Sequence, residues 1–133
     1  MNAVGMSKLN AMNSTLPISF DRKFRLATYR CSHSQLLLRS EQSPTRLDIL
    51  FKDVSACELR TFLSGLSIEE VEPDQVKDRA SNAIDAMEEG QKIYLLKSEG
   101  WTGYVVAGAV FWHEDEGTFG QPSAFMPEVR LLG

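Results

Sequence analysis

The sequence predicts a β-rich α+β domain: a single curved antiparallel sheet, or an open barrel, of about six strands with one helix near residues 74–89. Three observations carry that prediction. Apolar residues alternate with polar ones over 24–29 and again over 46–52, the period of a strand with one buried face. Between Pro73 and Glu89 the apolar spacing becomes helical. From Tyr104 to Trp112 apolar and small residues run without a break, as in a central strand covered on both faces.

Length and composition bound the rest. A chain of 133 residues buries about two-thirds of the surface its unfolded form exposes, so one domain can stand without staples. Two cysteines, Cys31 and Cys57, are too few for a disulfide framework. No segment joins a basic start, an apolar stretch and a small-residue cleavage site, and none approaches the roughly 18 continuous apolar residues of a membrane span. The expectation is a soluble cytoplasmic protein with no membrane partner. The formal charge of −4 conceals an asymmetry of +4 over residues 1–60 and −8 over residues 61–133. Oppositely charged strands pairing within one sheet account for it; separate charged faces would instead favour head-to-tail association or a charged partner.

In chain order, residues 1–19 lack any period and read as a disordered arm ahead of a globular domain spanning 20–133. Phe24, Leu26 and Thr28 alternate with Arg25, Ala27 and Tyr29, and Gln35–Arg39 is a second apolar run, so the pair reads as a hairpin with His33 near its tip. Pro44 ends that second strand. Leu47, Ile49 and Phe51 then face a core, with Arg46, Asp48 and Lys52 on a wet face that also carries Leu50. A turn at Lys52-Asp53 leads to a short strand reaching about Arg60 and pairing with the strand before it, although Ala56, Leu59, Phe62 and Leu63 also fit helical spacing. Leu66–Ile68 is a further short strand. Ser67 and Glu70 match a capping box, but Pro73 leaves no room for a helix there.

Val76, Ala80, Ala83, Ile84 and Met87 make the apolar stripe of the predicted helix, with Pro73 and Asp74 in its first turn and Gly90 just beyond its end. Its alanines suit close packing on the face that shows Ala107 and Ala109. Ile93 and Leu95 oppose Tyr94 and Leu96 on the next strand, and a loop over residues 98–103 puts Trp101 at a hairpin tip. On the long apolar run, Tyr104, Val106, Val110 and Trp112 share one face and Val105, Ala107, Ala109 and Phe111 the other, until the solvated group His113–Glu116. Glycines and prolines from about 117 make an irregular tail in which Phe119, Phe125 and Met126 fold back on the sheet.

No chemistry outweighs its structural explanation. Cys31, His33, Cys57 and His113 are a zinc-type ligand set without the close pairs such sites use, so no metal or other cofactor is expected. His113 and Asp115 share a face, which makes them candidate binding residues and, with partners from elsewhere, a candidate metal-assisted hydrolase site. Cys31 and His33 only share a face and form no nucleophile pair. Arg22, Arg25, Arg30 and Arg39 with Phe24 and Tyr29 have the residue types of a nucleic-acid face, but the acidic chain carries no binding motif, and no nucleic-acid partner is expected. Trp101 has the character of an interface anchor, with folding inward against Tyr104 or the tail as the equal alternative. The expectation is therefore a non-enzymatic protein-interaction module, of immunity type or similar, with an unidentified protein partner or a second copy as a homodimer. The rival is a small-ligand carrier with a pocket lined by Phe51, Tyr94 and Trp112.

Overall fold

The computed structural model describes residues 15–42, 45–118 and 120–126. One antiparallel sheet of eight strands dominates, and it does not close. The strands are β1 (Ile18–Arg30), β2 (Gln35–Gln42), β3 (Thr45–Lys52), β4 (Ala56–Glu58), β5 (Phe62–Val71), β6 (Lys92–Ser98), β7 (Trp101–Ala107) and β8 (Ala109–Asp115). One helix, α1 (Lys77–Asp85), lies between β5 and β6. Most of the proposed arm, and Ser43-Pro44, lie outside the described residues; β1 begins at Ile18.

The strand order is β4-β7-β6-β5-β1-β2-β3-β8, which corrects the central placement of the long apolar run. That run is two strands separated by Gly108: β8 ends one side of the sheet and β7 lies next to the other end. A matching corner at Asp53, which has a positive φ of 58°, separates β3 from β4. The two bent ribbons pair along both arms, with Lys52 opposite Ala109 and Ala56 opposite Val106. Gly108 N–H donates to the Lys52 carbonyl at 2.8 Å between them. The strand count exceeds about six in part because the long apolar run is two strands; the corner at Asp53 falls at the turn the sequence placed at Lys52-Asp53. The partner of β4 is correspondingly β7, not the strand before it. The corner also shifts side-chain parity by one residue, so Val105 and Ala107 point inward before it and Val110 and Trp112 after it.

The inner face forms the main core: Phe24, Leu36, Leu38, Leu47, Ile49, Phe51, Leu63, Ile68, Leu96 and their neighbours. Outside, α1 covers Val71, Ile93 and Val106 with the predicted stripe of Val76, Ala80, Ala83, Ile84 and Met87. It lies on the Val106 face and not on Ala107, which belongs to the inner core. The helix is shorter than residues 74–89. Pro73–Gln75 is a 3₁₀ turn closed by the Glu72 N–H donating to Gln75 Oε1 at 2.8 Å, and Ala80 departs from helical angles within α1. Beyond Asp85 the chain is held by Gln91, whose side chain accepts from the Glu88 N–H and donates to the Asp53 carbonyl.

The remaining outer face, on β2 and β3, is the one the sequence reading left wet. Arg46, Asp48 and Leu50 are buried there beneath residues 117, 118 and 120–126, with Met126 and Phe125 packed on Leu37 and Leu50. Charged residues tolerate that burial because each finds a counter-charge in the neighbouring strand.

Candidate functional site

The first sequence-predicted site, His113 and Asp115 on β8, belongs to the clamp holding this C-terminal strap. Asp115 faces Arg46 across the β3–β8 ladder and takes both guanidinium donors, Nε to Oδ1 at 2.8 Å and Nη2 to Oδ2 at 2.7 Å. Arg46 Nη1 then donates to the carbonyls of Thr118 at 2.7 Å and Gln121 at 3.1 Å. Arg39 repeats the device one rung along: Nε and Nη2 bind Asp48 at 2.6 and 2.8 Å, and Nη1 donates to the Gln121 carbonyl at 2.7 Å. Two bidentate pairs thus spend their spare donors on the carbonyls of two strap residues, Thr118 and Gln121.

Burial disfavours the Asp115 carboxylate. The hydrogen bonds from Arg46 and the Gly117 N–H, with the charges of Arg46 and His113, outweigh that and hold its carboxyl below the usual range. His113 Nδ1 is 3.7 Å from Asp115 Oδ2, has no hydrogen-bond partner among the described residues, and its ring packs edge-on against Phe125. The charged group at the end of β8 is therefore not simply solvated: His113 and Asp115 are mostly covered, while Glu114 is half exposed. Among the described residues no three of His, Cys, Asp or Glu come together as metal ligands.

Trp101 opens β7 opposite Ser98, across the two-residue turn Glu99-Gly100. Its ring folds back over Gly103, where any Cβ would overlap the indole, and Arg60 lies 5.9 Å above it. The nucleic-acid set is dispersed. Phe24 and Arg39 are fully buried, while Arg22 donates to the Thr45 carbonyl and lies 3.6 Å from Glu114.

Tyr94 lines a cavity of about 350 Å³ with Glu70, Lys92, Leu16 and the start of β8, whereas Phe51 and Trp112 are closed into the core. Desolvation, reinforced by the Glu70 charge, pushes the Tyr94 phenol up to about 12.

A second opening went unforeseen in the sequence. Where β4 turns away from the β1–β2 hairpin, an apolar wedge of about 380 Å³ is lined by Leu26, Tyr29, Leu36, Val54, Cys57 and Leu59. The Val54 N–H bonds the Ser34 carbonyl at one end and the Leu26 N–H bonds the Thr61 carbonyl at the other, so the wedge is framed by backbone. Tyr29, 45% exposed, stands at its rim. Phe62, 53% exposed, sits close by, opposite Arg25 in the β1–β5 ladder. These are the large hydrophobic residues most open to solvent among those described. Cys57 is surface-accessible, though desolvation pushes its thiol up. One signal was available: Tyr29 stands out of phase with Phe24, Leu26 and Thr28.

Compared with known proteins, the chain matches no family model, no curated protein and no solved structure. Among the described residues no helix is long and apolar enough to cross a membrane.

Proposed function

We propose that this chain is a non-catalytic protein-interaction module, an open-barrel scaffold of cytoplasmic setting, and that its docking site is the wedge between β4 and the β1–β2 hairpin. The observation that carries this reading is the apolar wedge rimmed by the half-exposed Tyr29, with the exposed Phe62 close by. Large apolar side chains left in water beside a preformed apolar recess are what an interface anchor fills.

The hydrolase reading loses its residues, since both Asp115 oxygens are engaged by Arg46. The carrier reading loses Phe51 and Trp112 to the filled core. Trp101 keeps a part in the interface reading as the indole beneath Arg60, next to Leu59 of the wedge, and not as a projecting tip.

Affinity capture from the native host tests the proposal. Wild-type protein is expected to retain a partner that Tyr29→Asp loses, with both chains melting alike because Tyr29 is an exposed rim residue. Equal retention by Tyr29→Asp, or loss on His113→Ala instead, would place the interface elsewhere.

A further inference from the structure

Away from the wedge, and independently of it, we propose a second site: the cavity beside Tyr94 binds a small zwitterion of dipeptide size, its ammonium on Glu70 and its carboxylate on Lys92. This cavity of about 350 Å³ opens at one mouth of the barrel, between the end of β5 and the start of β8. Barrel mouths commonly hold small-ligand sites, and the volume falls at the low end of the roughly 300–1,000 Å³ such pockets span. It accepts a small molecule and not a folded partner.

Three observations set the chemistry of the ligand. First, both walls are strand edges without a ladder partner among the described residues. β1 begins at Ile18, opposite Ile68, so Glu69 and Glu70 further along β5 pair with β6 alone. β8 ends the strand order with β3 as its neighbour, and Ala109 to Phe111 form the facing wall. Alternate backbone N–H and C=O groups of such edges point away from the paired strand, so the walls can meet a peptide group.

Second, the cavity holds one loosely committed charge of each sign. Lys92 Nζ and Glu70 Oε1 stand 3.8 Å apart, with side chains 50% and 45% exposed. A pair this open contributes roughly 0–1 kcal/mol, so a zwitterion inserted between them exchanges one weak ion pair for two. The remaining lining carboxylate, Glu69, is offset by Lys97 at 3.7 Å. The lining is therefore close to neutral and favours neither a lone cation nor a lone anion.

Third, Tyr94 is buried directly across the β5–β6 ladder from Glu70. Its phenol, pushed up to about 12, keeps its proton at neutral pH and stays an uncharged hydrogen-bonding group beside the two charges. Leu16 and Val110 leave apolar wall for a small side chain.

The test titrates the full chain, followed by two-dimensional amide NMR, with L-alanyl-L-alanine, its N-acetylated and C-amidated forms, and L-alanine. The free dipeptide is expected to shift the amides of Lys92, Tyr94 and Ala109 to Phe111 saturably below about 10 mM, leaving those of Leu26, Tyr29 and Cys57 in the wedge unmoved. Blocking either terminus is expected to weaken binding about tenfold, and L-alanine, which lacks the peptide group, to bind less tightly. In Glu70→Gln, a conservative change at a half-exposed side chain, the free dipeptide is expected to lose its advantage over the N-acetylated form but keep its advantage over the C-amidated one. No saturable shift by about 10 mM, equal binding of free and blocked dipeptides, tighter binding of L-alanine, an undiminished penalty for N-acetylation in Glu70→Gln, or shifts confined to the wedge would each overturn the proposal.

Discussion

Asp48 carries a full charge where water hardly reaches: its side chain is 1% exposed and its partner Arg39 is 0% exposed. Such a pair gains little over an apolar replacement, but either partner left alone is an uncompensated buried charge. Asp48→Ala is therefore expected to cost about 3–5 kcal/mol in urea denaturation, and Arg39→Met with Asp48→Leu to recover most of it. A single-substitution loss below about 1 kcal/mol would mean the pair behaves as an exposed one. Tyr94 gives a second residue-scale prediction. Its folded value is raised to about 12, while the unfolded chain titrates near 10. Its stabilisation is thus complete below pH ~10 and lost as pH rises towards ~12, where the unfolded chain alone readily releases the proton. Alkaline unfolding midpoints should shift upward in Tyr94→Phe; an unchanged midpoint contradicts the assignment.

At the scale of elements, the C-terminal strap is held by side chains more than by secondary structure. Gly117 is needed because any Cβ there would run into the Arg46 guanidinium. Gly117→Ala is expected to loosen residues 117–126 and speed amide exchange at Leu37 and Leu50 beneath them, with the β5–β7 amides unaffected. Unchanged exchange would mean the strap does not depend on Arg46. This element also marks where the sequence stops being legible. The alternation of Leu47, Ile49 and Phe51 revealed the inner face of β3, because a period of two survives any neighbour. The tail's Phe125 and Met126 pointed to a segment folding back on the sheet, as they do on Leu37 and Leu50, while Phe119 lies outside the described residues; that the segment would cover Arg46 and Asp48 was not legible, since it is rich in glycine and proline and has no period. The stripe of α1 was legible from its helical period, though not its length, because Pro73–Gln75 forms a 3₁₀ turn and the helix stops at Asp85.

For the whole molecule, the decisive feature is a pair of corners. From Tyr104 to Trp112 composition reads as one strand. Gly108 instead bends it, and Asp53 bends its partner, so the sheet carries its two ends onto the same two ribbons. One glycine in an apolar run is a weak signal, and its consequence, a flip of side-chain parity, reassigns every residue after it. Where the bent β4 leaves the first hairpin the wedge opens, which explains why the candidate site escaped notice. Its lining comes from four separated stretches (Leu26 to Tyr29, Leu36, Val54 to Cys57, and Leu59), none of which carries a motif.

The docking claim is tested most directly by covalent mapping of the captured partner. A photo-activated crosslinker attached to Cys57 in the Cys31→Ser protein is expected to capture that partner in high yield, and the same crosslinker at Glu89→Cys, beyond α1, to capture little. Equal yields from both positions, or a higher yield from Glu89→Cys, would contradict the account.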